Sequence, residues 1–459
     1  MSGEAKKRIL ILGGGFGGIY AARRLDKALG RDPKIEITLV NRDNFFLFTP
    51  MLHEVAAGDL EITDIVSPIR ELVCYVNFFC GEAESIDLDS KRVTVSHGYV
   101  RHSHELSYDY LIIALGSTTN FFKLPGVQEN AITMKSLGDA IHLRNRLVSH
   151  LEEANTECAA KDREGLLTFV VAGGGFAGIE TIASVNDLVR DSLRFYKQID
   201  PKMVRVVVVH PSETILPELG PELGAYAQKK LAARGVEIRT KCRVTHADQD
   251  SVTLSDGTMI RTRTLIWTAG VLPHMILSTL PCDRDKGRIK VSEFLEVERW
   301  PGVWALGDAA LVSDTRTGGF YPQTAQHAIR EAKTVADNLV SAIRGGSRQP
   351  FRFKTIGQLA SIGHRTGVAR ILGVKFSGFV AWWLWRTIYL GKLPRLEKKI
   401  RVAIAWTLDI LFPKDLVQFQ TVRAPTISRE EHEPGGFVSE GLSPHYDEAK
   451  ARSQTRQKN

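Results

Sequence analysis

The strongest constraint on this chain is a pattern it carries twice: an apolar strand, then Gly-x-Gly-x-x-Gly, then a helix. In RILILGGGFGGIYAARRLDKAL (8–29) the strand runs from Ile9 to Leu12 and leads into Gly13, Gly15 and Gly18. The first glycine permits a tight turn, the second lets backbone approach a pyrophosphate, and the third lets the helix pack closely on the strand. IEITLV (35–40) supplies the next strand. Taken alone, such spacing is as readily a glycine-rich turn; these flanks predict a dinucleotide site. LLTFVVAGGGFAGIETIASVNDLV (166–189) repeats the unit with Gly173, Gly175 and Gly178, and VRVVVVHP (204–211) is its second strand. Two units about 160 residues apart predict an α/β chain with two Rossmann-like domains and two dinucleotides, an arrangement suited to passing a hydride between them.

Neither second strand ends in the acid that usually binds the adenosine ribose. The first ends in Asn41, which can still hydrogen-bond a ribose hydroxyl. The second ends in His210, which removes a carboxylate that would repel a 2′-phosphate. No arginine adjoins His210 in sequence, so NADH is the expected nucleotide, with NADPH left open.

Three further stretches set the boundaries. DYLIIALGSTTNFFKLPGV (109–127) leaves a strand through Gly116, and TLIWTAGVLPH (264–274) echoes it through Gly270. Both fit chain returning past a bound nucleotide, and both fit a plain strand exit. VWALGDAALV (303–312) delivers Gly307 and Asp308 to the head of a helix-like stretch. There Gly307 allows close backbone approach, and Asp308 either accepts a hydrogen bond from a flavin ribityl hydroxyl or caps a turn. The expected division is 1–140 with 285–345 as a discontinuous first domain, 163–282 as an inserted second, and 350–420 as a C-terminal region. Residues 426–459 lose periodicity and are expected to be disordered.

Composition, with 43% hydrophobic and 24% charged residues, excludes disorder throughout. The net charge of +8 is concentrated: six basic residues and one acidic residue lie between Arg386 and Arg401. They neighbour FVAWWLWRTIYL (379–390) and IRVAIAWTLDILF (400–412), segments too short to span a bilayer. Tryptophans and Lys392, Arg395, Lys398, Lys399 and Arg401 suit an anionic membrane surface better than nucleic acid, although core packing or a dimer contact is the other reading of the helices. The five cysteines form no CxxC pair, and no Cys/His cluster has metal-ligand spacing, so no metal is expected. Cys74 and Cys80 in CYVNFFC read as buried small hydrophobes rather than redox thiols. Cysteines so scattered, without a disulfide framework, favour a reduced compartment, and the start MSGEAKKRILILGGG is expected to enter a strand directly, leaving no room for a signal peptide.

GGGFGG, ITLVNRDNFFLFTPMLHEVAAG (37–58), AGGGFAGIE, WTAGV, ALGDAA, YPQTAQHA (321–328), FKTIGQLASIGHRTGVA (353–369) and the Trp-rich tail together resemble the type II NADH:quinone oxidoreductases. The resemblance covers roughly residues 8–420. It implies a pyridine nucleotide-disulfide reductase-like fold with a C-terminal membrane-associating region. It also implies non-covalent FAD in the first domain, NAD(P)H in the second, a membrane quinone as acceptor, and a homodimer on the cytoplasmic face of a bacterial inner membrane. The family's flavin aspartate falls on Asp308, its glutamate after the second glycine motif on Glu180, and its quinone-side glutamine on Gln326. Glu180 lies just beyond the second loop, where it either faces the nicotinamide and flavin edge or is favoured there by the helix dipole. Gln326 falls in a loop-to-helix segment from which it could reach the flavin or a quinone carbonyl, or sit idle at the surface. Arg330 and Glu331 depart from the family pattern and leave the quinone type open. A sulfide:quinone oxidoreductase, a soluble diaphorase and a non-catalytic flavin redox sensor are the alternatives.

Overall fold

The computed structural model describes residues 6–98, 100–157 and 159–419, so the expected disordered tail lies outside the described residues. Each glycine unit sits at the centre of its own five-stranded parallel sheet. In the first, Lys7–Leu12 lies between Ile35–Asn41 and Tyr110–Ile113, with Asn77–Cys80 and Val303–Ala305 at the edges. In the second, Thr168–Ala172 lies between Arg205–Val209 and Thr264–Trp267, with Val236–Arg239 and Ala131–Thr133 outermost. Strand order reverses at each central strand, which opens a crevice at its carboxyl end. The central strands are covered on both faces, which is why Ile9–Leu12 and Phe169–Val171 are unbroken apolar runs and buried.

The duplication extends beyond the loops. Glu82–Asp87, Arg92–His97 and His102–Ser107 form an antiparallel sheet in one half, matched by Val244–Ala247, Ser251–Leu254 and Met259–Arg261 in the other. The two echoing stretches then pair with each other: Ser117–Thr119 runs antiparallel to Val271–Pro273 and ties the halves together. Ala131–Thr133 already belongs to the second sheet, so the chain crosses before residue 140, through a strand too short to show a pattern. Gly307–Ala309 is a single 3-10 turn followed by the strand Ala310–Leu311, not the head of a helix.

Helix Ala325–Arg344 packs along Phe16–Leu29, with Arg24 Nε 2.7 Å from Asp337 Oδ1. A three-stranded sheet (Gly357–Ser361, Gly367–Ile371, Val374–Gly378) follows, then helices Phe379–Lys392 and Leu396–Leu411. Among the described residues no helix is long and apolar enough to cross a membrane. The last helix has two faces. Lys398, Val402 and Trp406 recur every fourth residue and are buried, whereas Leu396, Ile400, Ile404 and Leu408 form an exposed apolar stripe.

Three expectations are corrected here. Trp385 and Trp406 are buried in protein, where their indoles find carboxylates; of the four tryptophans on these helices Trp382 is half-buried and Trp383 alone is exposed. Lys398 donates to the Thr63 carbonyl at 2.7 Å and Arg395 pairs with Glu71 and Glu397, so much of the basic cluster is spent on the protein. Cys74 and Cys80 are exposed: Asn77–Cys80 is an edge strand, and Cys80 Sγ lies against the Arg42 carbonyl at 3.4 Å.

Candidate active site

Both loops leave their helix amides free. Gly15 and Gly175 are N-caps without a side-chain cap, and neither first turn contains an acid, so the orphan N–H groups and positive helix end favour an anion. Gly13 and Gly173 have φ of +100° and +119°, which L side chains rarely adopt. A Cβ at Gly18 would lie 1.7 Å from the Gly13 oxygen, and one at Gly178 would lie 1.8 Å from the Gly173 oxygen. In front of Gly15 there is nothing within 4 Å, which leaves the space a phosphate needs.

Asn41 and His210 do the same job in the two halves. Asn41 Oδ1 accepts the Gly14 N–H at 2.7 Å, and His210 Nδ1 accepts the Gly174 N–H at 3.1 Å. Each braces the loop from beneath. Strand pairing also brings a basic residue beside His210 that adjacency in sequence did not reveal: its N–H donates to the carbonyl of Arg239, an exposed residue on the neighbouring strand.

A cavity of ≈ 630 Å³ opens between the halves. It is lined by Gly15, Gly116, Gly307 and Asp308 from the first half, Phe176 and Glu180 from the second loop's helix, and Gln326, Gly357, Tyr389 and Lys392 from the C-terminal part. Gly13, Gly18, Asn41, Gly173, Gly175, Gly178, His210 and Gly270 lie outside that lining; Gly270 sits against the ring of Phe122 and its carbonyl accepts the Asn120 N–H. Among the described residues no cysteine lines the cavity.

Polar groups on the wall are anchored. Lys135 Nζ donates to Ser117 Oγ (2.7 Å), which donates to Asp308 Oδ2 (2.6 Å). Burial lowers the Lys135 pKa while Asp308 opposes the shift. Gly307 is held from behind, its N–H donating to Glu331 Oε2 at 2.7 Å. Burial, with Asp308 adding, pushes Glu331 up to about 7. Arg330 stacks on Phe353 at 4.1 Å and donates to the Gln326 carbonyl. Gln326 Nε2 donates to the Gly357 carbonyl at 3.1 Å, joining its helix to the C-terminal sheet.

Glu180 is buried one turn inside its helix and turned away from the helix end. Its Oε1 accepts the Trp385 indole N–H at 2.7 Å and the Ser361 N–H at 3.2 Å. Burial pushes its carboxyl up to about 8, against these two hydrogen bonds. His53 also lines the cavity, with Nδ1 2.8 Å from Ser184 Oγ, and burial pulls it down to about 3, so it is neutral. Sequence reading gave His53, Lys135, Ser117, Tyr389 and Trp385 no part in this site. Only His53 carried a signal, inside LFTPMLHEVAAG; the others depend on contacts between distant segments.

Comparison with known proteins agrees with this geometry. The family described as pyridine nucleotide-disulphide oxidoreductase matches residues 7–332, and the NDH2 C-terminal domain matches 356–415. The chain is 32% identical to the type II NADH:quinone oxidoreductase Ndh of Mycobacterium tuberculosis, covering 88% of each. It is 30% identical to the demethylphylloquinone reductase NdbB of a Synechocystis species, covering 88% of this chain and 96% of that one. Among solved structures it superposes on NDH2 from Plasmodium falciparum in complex with NADH with a TM-score of 0.83 at 20% identity, covering 90% and 100% of the two chains. A more distant fold neighbour is a sulfide:quinone oxidoreductase from Aquifex aeolicus, with a TM-score of 0.66 at 18% identity, covering 89% and 96%.

Proposed function

The chain belongs to the type II NADH:quinone oxidoreductases, and on that premise we propose which of its residues do which part of the work. It is an enzyme that moves two electrons from NADH to a quinone, with FAD as cofactor. The observation that carries the assignment of residues is one cavity lined together by both loop helices and by the C-terminal sheet and helices.

The half built on Lys7–Leu12 holds FAD, the half built on Thr168–Ala172 holds NADH, and the quinone enters beside Gln326, Gly357, Tyr389 and Lys392. Bound in the first half, FAD supplies the electron chemistry, accepting the nicotinamide hydride and giving two electrons to the quinone. The chain's own groups fit it. Uncapped amides after Gly15 face the pyrophosphate, and Asp308, steadied by Ser117 and Lys135, offers a carboxylate oxygen to a ribityl hydroxyl. Gln326 has one Nε2 hydrogen committed to Gly357 and keeps a second for a ring or quinone carbonyl. Glu180, mostly protonated at neutral pH because it is buried, holds a proton at the cavity wall.

The exposed stripe Leu396–Ile400–Ile404–Leu408 with Phe379, Val380 and Trp383 supports docking on a lipid surface, where a quinone resides. The reading is a peripheral protein on the cytoplasmic face of a bacterial inner membrane. The expected homodimer would compete for the same stripe, and light scattering with and without vesicles separates the two. Cysteine-dependent sulfide oxidation is disfavoured because no cysteine among the described residues lines the cavity. In the direct test, NADH added anaerobically to purified chain bleaches the flavin absorbance and quinone restores it. Bleaching without restoration would leave a diaphorase, and no bleaching would leave a redox sensor.

A further inference from the structure

One proton per turnover has to be found. NADH gives two electrons and one proton as hydride, while a quinone becoming quinol takes two electrons and two protons, so NADH + H⁺ + quinone yields NAD⁺ + quinol. The missing proton comes from water, and it has to reach Glu180, which is buried in the cavity wall. Behind that wall lies a second buried carboxyl that the site does not use.

Glu54 sits on the short helix Leu52–Ala56, beside His53, and is buried. Its Oε2 accepts the indole N–H of Trp406 at 3.1 Å, just as Glu180 accepts that of Trp385. The two indoles, from the two C-terminal helices, lie 6.4 Å apart between centroids. Each takes up one oxygen of its carboxyl; Glu54 Oε1 and Glu180 Oε2 make no hydrogen bond among the described residues. His53 and Ser184, hydrogen-bonded at 2.8 Å, join the Glu54 helix to the Glu180 helix, with Ser184 one turn beyond Glu180 on the same face. His53 Nε2 has no partner among the described residues, so this imidazole, held to Ser184 through Nδ1, keeps a second ring nitrogen free to accept or release a proton. On the outer side Asp59, whose N–H donates to the Glu54 carbonyl at 2.8 Å, pairs with Lys414 at 2.5 Å, and both are 12–13% exposed. Asp409, Asp191 and Arg386, with Arg365 acting on Arg386, are the other charged groups around this cluster.

We propose that Glu54 is a proton-relay residue, taking protons from the Asp59–Asp409 mouth and reloading Glu180 at the quinone side of the cavity through His53 and Ser184. The electrostatics suit the task. Burial raises Glu54 to about 8, Asp59 adding and Arg386, Trp406 and Lys414 opposing; Glu180 is raised to about 8 as well. Two carboxyls so matched exchange a proton at little free-energy cost, and both are loaded at neutral pH.

The inference rests on the quinone-reductase reading, and its test keeps the two apart. In holoenzyme Glu54→Gln, the glutamine keeps shape and the acceptor for Trp406. NADH-driven bleaching should keep its rate, while quinone-driven recovery falls about 100-fold and its alkaline limb near pH 8, set by two carboxyls in wild type, becomes that of Glu180 alone. Infrared titration of protonated carboxyls, which needs no turnover, should lose one of two groups titrating near that pH. Trp406→Phe removes a donor that favours the charged form, so the limb should move to higher pH; a merely structural tryptophan would lower stability and leave the limb in place. Recovery rate and pH profile unchanged in Glu54→Gln would overturn the relay. Wild-type flavin that quinone does not restore would instead overturn the reading of function.

Discussion

Replacing Gly178 by alanine tests the division of labour between the two loops. The added methyl would sit 1.8 Å from the Gly173 oxygen and 2.6 Å from Thr268 Oγ1, and neither the loop carbonyl nor the strand-end threonine can give way without opening the loop. To reach an ordinary contact the helix start must withdraw by more than about 1 Å, carrying with it the amides that face the pyrophosphate and, one turn on, Glu180. A displacement of ~1 Å costs on the order of 100-fold when it misplaces reacting groups, and overpacking costs about 1–3 kcal/mol of stability. In our reading Gly178→Ala therefore lowers kcat/KM for NADH by about 100-fold while the purified protein keeps its yellow colour and full flavin content. Gly18→Ala, whose methyl meets the Gly13 oxygen at 1.7 Å, does the reverse and is purified without flavin. Flavin content by absorbance and NADH titration by stopped flow measure both. If Gly178→Ala lost flavin and Gly18→Ala kept it, the loops would be assigned the wrong way round.

The buried carboxyl behind Gly307 gives stability a pH dependence. Glu331 is raised from 4.5 to about 7, so the folded state holds its proton longer than the unfolded chain does; its contribution is fully present below about pH 4.5 and is lost as pH rises through about 7. Glu331→Gln should gain on wild type over that window by on the order of 3 kcal/mol; a difference that stays flat with pH in denaturation curves would contradict the shift. Lys414→Met leaves the mostly covered Asp59 unpaired, and should cost on the order of 1–3 kcal/mol of stability in urea unfolding; a loss under ~0.5 kcal/mol would mean the pair is solvated. Ile400→Asp with Ile404→Asp places charge on the outer stripe and should abolish vesicle flotation while leaving the melting temperature near that of wild type; retained flotation would move the lipid contact elsewhere.

The glycine loops were legible because backbone sterics and phosphate approach force those residues at that spacing, and the duplicated sheets follow from them. The ribbon joining Ser117–Thr119 to Val271–Pro273 was not legible, since register between segments so far apart leaves no local pattern. Trp385 and Trp406 misled for a related reason. An amphipathic helix rich in tryptophan looks alike whether its indoles meet headgroups or a carboxylate 205 or 352 residues away. Asn41 was read as able to hydrogen-bond a ribose and His210 as the loss of a ribose-binding acid; that each also accepts a glycine N–H of its loop depends on the folded turn and left no sign in the sequence. The exposed cysteines show the limit of reading an apolar run without its position in the sheet: an edge strand hides only one of its faces.

The central claim is that nicotinamide and flavin meet in the cavity between the two loops. A crystal structure of the chain with FAD and NADH tests it most directly. The account predicts the nicotinamide C4 about 3–3.5 Å from flavin N5, with both rings bounded by Glu180, Gly307 and Gln326. Nucleotides resting on their own loops with the rings held apart and this cavity filled by water would contradict it.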